Sequence, residues 1–114
     1  MFNKILGAFG EIKATNYLKK LGYKILKRNY RCPIGEIDII CLDKGVLVFV
    51  EVKYRKNLDY GRPSQAVNKH KQGKIIQVAK YYIVEHDIVN TFCRFDCVEI
   101  IDKQINHIIS AFTR

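Results

Sequence analysis

Two apolar runs facing each other across a short polar turn constrain this chain more than any other feature. The first is Gly35-Glu36-Ile37-Asp38-Ile39-Ile40-Cys41-Leu42 and the second is Val46-Leu47-Val48-Phe49-Val50-Glu51-Val52-Lys53, joined by Asp43-Lys44-Gly45. Runs of this length, rich in β-branched residues and split by a glycine-containing turn, form a β-hairpin. Successive strand side chains point to opposite faces, so Leu47, Phe49, Glu51 and Lys53 share one face and Val46, Val48, Val50 and Val52 the other. On the first strand Glu36, Asp38 and Ile40 lie opposite Ile37, Ile39 and Cys41. A two-residue turn at Lys44-Gly45 pairs Asp43 with Val46, Asp38 with Glu51 and Glu36 with Lys53. A one-residue slip would put Asp38 among the valines, so the apolar pattern selects this register. Opposed residues hold their Cβ atoms roughly 4.5–5.5 Å apart. The hairpin therefore predicts three carboxylates and a lysine gathered on one face.

The rest of the chain bounds what such a cluster can serve. Its 114 residues suffice for one domain, 1–114, with one modest core. Composition is that of a globular protein, 48% hydrophobic and 27% charged, without repeats or low-complexity tracts. The longest unbroken aliphatic and aromatic run is 46–50, far too short to span a bilayer. Glu11 and Lys13 interrupt any signal-peptide core, so a cytoplasmic protein without a membrane partner is the expectation. Lys and Arg number 20 against 11 acids, a formal charge of +9 that favours polyanions, nucleic acid first. A basic but non-binding surface is the ordinary alternative. Cys93 and Cys97 fall in a strand-like run, where four residues span roughly 13 Å, too far for a shared metal. With Cys41 on the apolar hairpin face, the cysteines read as reduced, small core residues.

In chain order, residues 3–21 predict a helix, with Asn3 as N-cap and Gly22 as its stop. Phe2, Ile5, Leu6, Phe9 and Ile12 form an apolar arc, and Glu11 lies on the row Gly7-Glu11-Ala14-Leu18, which points it inward. A buried carboxylate there needs a cationic partner, lysine, arginine or metal. A first strand over 23–31 leads through Cys32-Pro33-Ile34-Gly35 into the hairpin. Residues 54–63 read as a loop interleaving bases with tyrosines, Arg55 and Arg62 among them, suited to phosphates and bases. Ser64 caps a second helix to about His86, with Val67, Ile75, Ile76, Ala79, Tyr82 and Ile83 inward. Its basic start, with Lys69, Lys71 and Lys74, is expected to project past the core as a nucleic-acid contact. Two closing strands follow, over 91–101 and 105–112, with Arg94 and Asp96 placed to form a structural ion pair. The order α-β-β-β-α-β-β predicts an α/β or α+β domain with one mixed sheet flanked by helices.

Carboxylates on adjacent strands suit a hard divalent cation, which takes oxygen ligands and keeps several waters. A lysine two residues after a carboxylate on the same face can activate a water or stabilise charge on a phosphoryl group. Asp38 and Glu51 are thus candidate metal ligands, Lys53 a candidate activator of the nucleophile, and Glu11 a third carboxylate supplied by the helix. Glu-x-Lys alone is a weak signal, since exposed strand faces often carry alternating charges.

These residues resemble the PD-(D/E)xK nuclease superfamily, and more closely the small bacterial YraN-like family, which is grouped with archaeal Holliday-junction resolvases. The resemblance runs through Gly10-Glu11, Tyr17-Leu18, Gly22-Tyr23, Gly35-Glu36-Ile37-Asp38, Val48-Phe49-Val50-Glu51-Val52-Lys53, Lys71-Gln72 and Arg94-Phe95-Asp96. Ile37 stands where the superfamily's name has proline. The resemblance implies a restriction-endonuclease-like core, an active site of Glu11, Asp38, Glu51 and Lys53, and magnesium or manganese as cofactor. It also implies phosphodiester hydrolysis in DNA rather than RNA, branched or damaged forms included. Resolvase-like enzymes pair two active sites across a junction, so it allows a homodimer. The competing expectation is a catalytically silent nucleic-acid-binding module on the same fold.

Overall fold

The computed structural model of the protein describes residues 2–55 and 68–113, with side chains from residue 9 onward. Seven elements follow in the expected order: α1 (Phe2–Lys20), β1 (Lys24–Cys32), β2 (Gly35–Asp43), β3 (Val46–Arg55), α2 (Lys69–Glu85), β4 (Cys93–Ile101) and β5 (Gln104–Phe112). The five strands form one sheet in the order β1-β2-β3-β4-β5. All neighbours are antiparallel except β3 and β4, which run parallel. Parallel neighbours require a crossover, and α2 lies within it. The result is a small α+β fold with one mixed five-stranded sheet and two helices.

Local chemistry explains the corners. α1 ends in a Schellman turn, with the Gly22 N–H on Lys19 O at 3.0 Å and the Tyr23 N–H on Leu18 O at 3.1 Å. Gly22 takes φ +94°, the left-handed position that a side chain would strain. Asn3 lies inside the helix rather than at its cap. The hairpin turn holds Lys44 at φ +49° and Gly45 at +85°, the paired positive values of a tight turn that matches strand twist. The second helix begins at Lys69, not at Ser64. Asn68 is its extended N-cap and accepts the Lys71 N–H on Oδ1 at 2.9 Å. Ser64, Val67, Arg62 and most of the expected 54–63 loop lie outside the described residues.

Two cores sandwich the sheet. Ala14 and Leu18 of α1 pack on Ile39, Cys41, Val48, Val50, Val98 and Ile100. Ile75, Val78, Ala79 and Tyr82 of α2 pack on Ile40, Leu47, Phe49, Phe95 and Cys97. The valine face of the hairpin is thus the α1 side, and the Phe49 face the α2 side. Ile37 departs from the expected alternation by joining Tyr30 in the α2-side core. Asn29, on the paired strand at φ +53°, interrupts regular pleating beside it. On α1 the inward row is Glu11, Ala14, Thr15 and Leu18, as the Glu11 row predicts, whereas Phe9 and Ile12 of the apolar arc are exposed. Among the described residues, no helix is long and apolar enough to cross a membrane.

Candidate active site

The hairpin register holds from Asp43↔Val46 through Ile39↔Val50 and ends there. Beyond that pair β2 and β3 part, and the expected backbone pairing of Asp38 with Glu51 and Glu36 with Lys53 does not form. The side chain of Asp38 takes over the ladder: its Oδ2 accepts the Val52 N–H at 2.8 Å. A carboxylate thus satisfies a main-chain donor that would otherwise be orphaned at the fork. β3 meanwhile continues along β4, with Glu51 beside Cys97 and Lys53 beside Glu99.

Four elements bring charge to this fork. β2 supplies Asp38, and β3 supplies Glu51 and Lys53. α1 supplies Glu11, which is buried and close enough for its charge to act on Asp38. Glu11 Oε1 is buried without a hydrogen-bond partner, and the Arg28 Nε lies 3.8 Å from it. Burial raises the Glu11 carboxyl, Arg28 opposes this, and Glu36 adds to it. Glu36 itself stands on the exposed rim, paired with Arg31 at 3.2 Å.

The fourth contribution, from α2, departs from expectation. Lys71 does not project past the core; its Nζ lies 2.7 Å from Glu51 Oε1. Glu51 is buried while the lysine is about half open, with side-chain exposures of 8% and 40%. Lys69 and Lys74 on the same turns are exposed, as expected of a basic surface. Arg55 instead leans on the fully buried Glu99, Nε to Oε2 at 2.9 Å, with its own side chain mostly covered. It is anchored in the fold, which sets it apart from the open lysines as a phosphate contact.

The electrostatics are those of a cluster short of positive charge. Burial and then the charge of Glu51 push the Asp38 carboxyl from 3.8 up to about 7, against the opposing Val52 N–H. Burial, followed by the neighbouring Lys71 ammonium, lowers Lys53 below the usual lysine range. Burial also disfavours charge on Lys71, but Glu51 outweighs it and Lys71 is held protonated. The pair is therefore one firmly cationic lysine and one predisposed to give up its proton.

Among the described residues no three His, Cys, Asp or Glu side chains stand together as a preformed metal cage. The donors nevertheless suit a hard cation. Magnesium needs only one or two carboxylates and keeps its waters. Asp38 and Glu51 fill that requirement, and Glu11 lies within electrostatic reach of Asp38.

A second polar network, on the α1 side, is structural. Arg94 grips the fully buried Asp96 twice, Nε–Oδ1 at 3.0 Å and Nη2–Oδ2 at 3.2 Å, as its sequence spacing predicts. It also donates to Asp43 Oδ2 at 3.0 Å and Tyr23 Oη at 2.7 Å. Asp96 further receives the Ser110 N–H at 3.0 Å and lies 2.8 Å from His107 Nε2. Burial alone would raise the Asp96 carboxyl, but His107, Arg94 and Ser110 together hold it below the ordinary value. Cys41 and Cys97 are buried core residues, as expected, and both thiols are pushed up to about 12 chiefly by burial.

Sequence reasoning missed the inward turn of Lys71 and the buried Glu99. One signal for Lys71 was available: lysine at a helix start opposes the helix dipole and asks for another reason to be there. No comparable signal marks Glu99.

The chain is similar over most of its length to proteins of several bacteria. It is 50% identical over 114 residues to a UPF0102 protein of Clostridioides difficile strain 630, covering 98% of this chain and all of that one. A UPF0102 protein of Lachnoclostridium phytofermentans is 47% identical over 113 residues, covering 98% and 96% of the two chains. One from Caldanaerobacter subterraneus is 45% identical over 116 residues, covering 96% and 95%. The sequence profile described as "Uncharacterised protein family UPF0102" matches residues 10–100, which takes in every residue of the forked site. This chain is a member of the UPF0102 family.

Proposed function

We propose that this protein is a divalent-metal-dependent nuclease of the PD-(D/E)xK type that hydrolyses phosphodiester bonds in DNA. The observation that carries the reading is the fork itself, where the Asp38 and Glu51 carboxylates act on each other beside a lysine of lowered pKa, with Glu11 within electrostatic reach of Asp38. Packing does not require such an arrangement, since each buried carboxylate costs free energy unless matched by a cation.

Asp38 and Glu51 would hold the ion, with Glu11 accepting from its water shell. A magnesium or manganese ion bound there would polarise a phosphoryl oxygen and make a bound water more acidic. Asp38 enters this role pre-oriented, because the Val52 N–H fixes one oxygen and leaves the other to bind. Lys53 Nζ would take the proton of the attacking water as its oxygen bonds to phosphorus and the P–O bond to the leaving group breaks. The exposed Lys69 and Lys74 flank the site and offer charge to the phosphate backbone, in keeping with +9 on the whole chain.

With magnesium or manganese, the protein is expected to cut at least one member of a panel of single-stranded, duplex, flap and four-way DNA. Asp38→Ala or Lys53→Ala is expected to abolish cutting while leaving DNA binding. An uncut panel overturns the nuclease reading for those substrates. One observation favours a silent binding module instead: the Lys71 ammonium already neutralises Glu51. That reading predicts DNA binding indifferent to metal and no cleavage.

A further inference from the structure

We propose that Lys71 is a displaceable cation in the metal seat: a divalent ion takes Glu51 from it, and the released ammonium serves the substrate phosphate. The inference rests on the nuclease reading and extends it to a fifth residue of the site.

The geometry carries it. Lys71 Nζ lies 2.7 Å from Glu51 Oε1, a direct charge-assisted contact with a carboxylate assigned to the metal. A divalent ion on Glu51 and the ammonium at its Oε1 would be like charges held a few ångströms apart by one carboxylate, so each disfavours the other. Glu51 is buried and cannot be left bare, which explains why some cation must sit there at all times.

Placement in the helix argues the same way. Lys71 lies in the first turn of α2, where no acidic residue balances it. The helix dipole is positive at this end, so lysine costs stability there. The Asn68 cap holds the Lys71 N–H, fixing the backbone from which the side chain reaches the fork. With 40% of its side chain open, Lys71 can swing away without unpacking the core. Its length then carries the ammonium to the mouth of the site beside Lys69 and Lys74, where a phosphate would arrive.

The test is calorimetric titration of the DNA-free protein with manganese chloride at pH 8.5, above the Asp38 value of about 7. Lys71→Met removes the competitor and is expected to bind manganese about tenfold more tightly than the unaltered protein. Lys71→Arg, which keeps a cation, should stay within about twofold of it. Glu51→Gln should abolish uptake in either background. Equal affinity in Lys71→Met and the unaltered protein, with Glu51→Gln still abolishing uptake, overturns the displacement while sparing the metal site. Failure of all forms to bind manganese overturns the nuclease reading, and the displacement with it. Lys71→Met should also weaken binding to a duplex in calcium and lower the salt slope by about one. Unchanged affinity and slope there refute the phosphate role. Circular dichroism is to check that all three variants fold.

Discussion

Replacing Asp38 with asparagine should stabilise the metal-free protein by an amount that grows from about pH 4 and levels off above about pH 7. The Asp38 carboxyl stands at about 7 in the fold, against 3.8 ordinarily, because burial and the charge of Glu51 both disfavour the anion. Between those values the folded state holds a proton that the unfolded chain has released. Stability from this group is therefore full below about pH 4 and is lost as pH rises through about 7. A displacement of that size corresponds to a ceiling of about 4 kcal/mol. Rearrangement of Lys53 and Lys71 around the anion brings the expected cost to about 2 kcal/mol. Asparagine keeps an oxygen for the Val52 N–H and carries no charge. At pH 8 in EDTA, Asp38→Asn should thus melt about 8 °C above the unaltered protein. At pH 5 the gap should fall to less than half, since Asp38 is then neutral in the fold and ionised only in the unfolded chain. Melting followed by circular dichroism across pH 5–8 measures the difference directly, and other titrating groups cancel between the variants. Saturating manganese should close the gap at pH 8 by stabilising only the form with Asp38. A destabilised Asp38→Asn, or a gap independent of pH, would refute the claim that the fork is electrostatically strained.

Two further expectations concern regions away from the fork. Arg94→Met strands the buried Asp96 and should cost about 3 kcal/mol in urea unfolding, with no change in slope; a loss below about 1 kcal/mol would show that His107 and Ser110 suffice. Replacing Lys69 and Lys74 together with glutamine should weaken duplex binding equally across sequences and lower the salt slope by about two, measured by fluorescence anisotropy; an unchanged slope would place the DNA-binding face elsewhere.

The sequence carries the fold because its strands alternate cleanly and its turns are chemically marked. Gly45 and Gly22 stand where positive φ is needed, and the valine face of β3 leaves one register for the hairpin. That register is legible only up to Ile39↔Val50. Pairing rules extend a ladder indefinitely, and nothing in a single sequence says that Asp38 will replace a backbone acceptor with its own side chain. Alternation fails at Ile37 for a similar reason, since one left-handed asparagine on the partner strand alters the pleat. Glu11 was legible because its row on α1 is otherwise small or apolar. For Lys71 only the unfavourable helix-start position was legible: a long side chain there can reach outward or inward, and the choice depends on a carboxylate some 20 residues earlier in the chain. The contact of Arg55 with Glu99 was illegible for a similar reason, since that partner lies on a strand far along the chain.

The parallel pairing of β3 with β4 has a consequence for how the site is born. β1, β2 and β3 form a meander of consecutive hairpins, so Asp38 and Glu51 become neighbours through local, rapidly closed contacts. β4 cannot dock until the whole crossover has been made, and α2 lies inside that crossover. The acidic fork therefore assembles before the lysine that neutralises it arrives. Early in folding the hairpin's own repulsion works against closure, and docking of α2 with Lys71 relieves it. Folding of this domain is accordingly expected to be limited by the step that completes its charge.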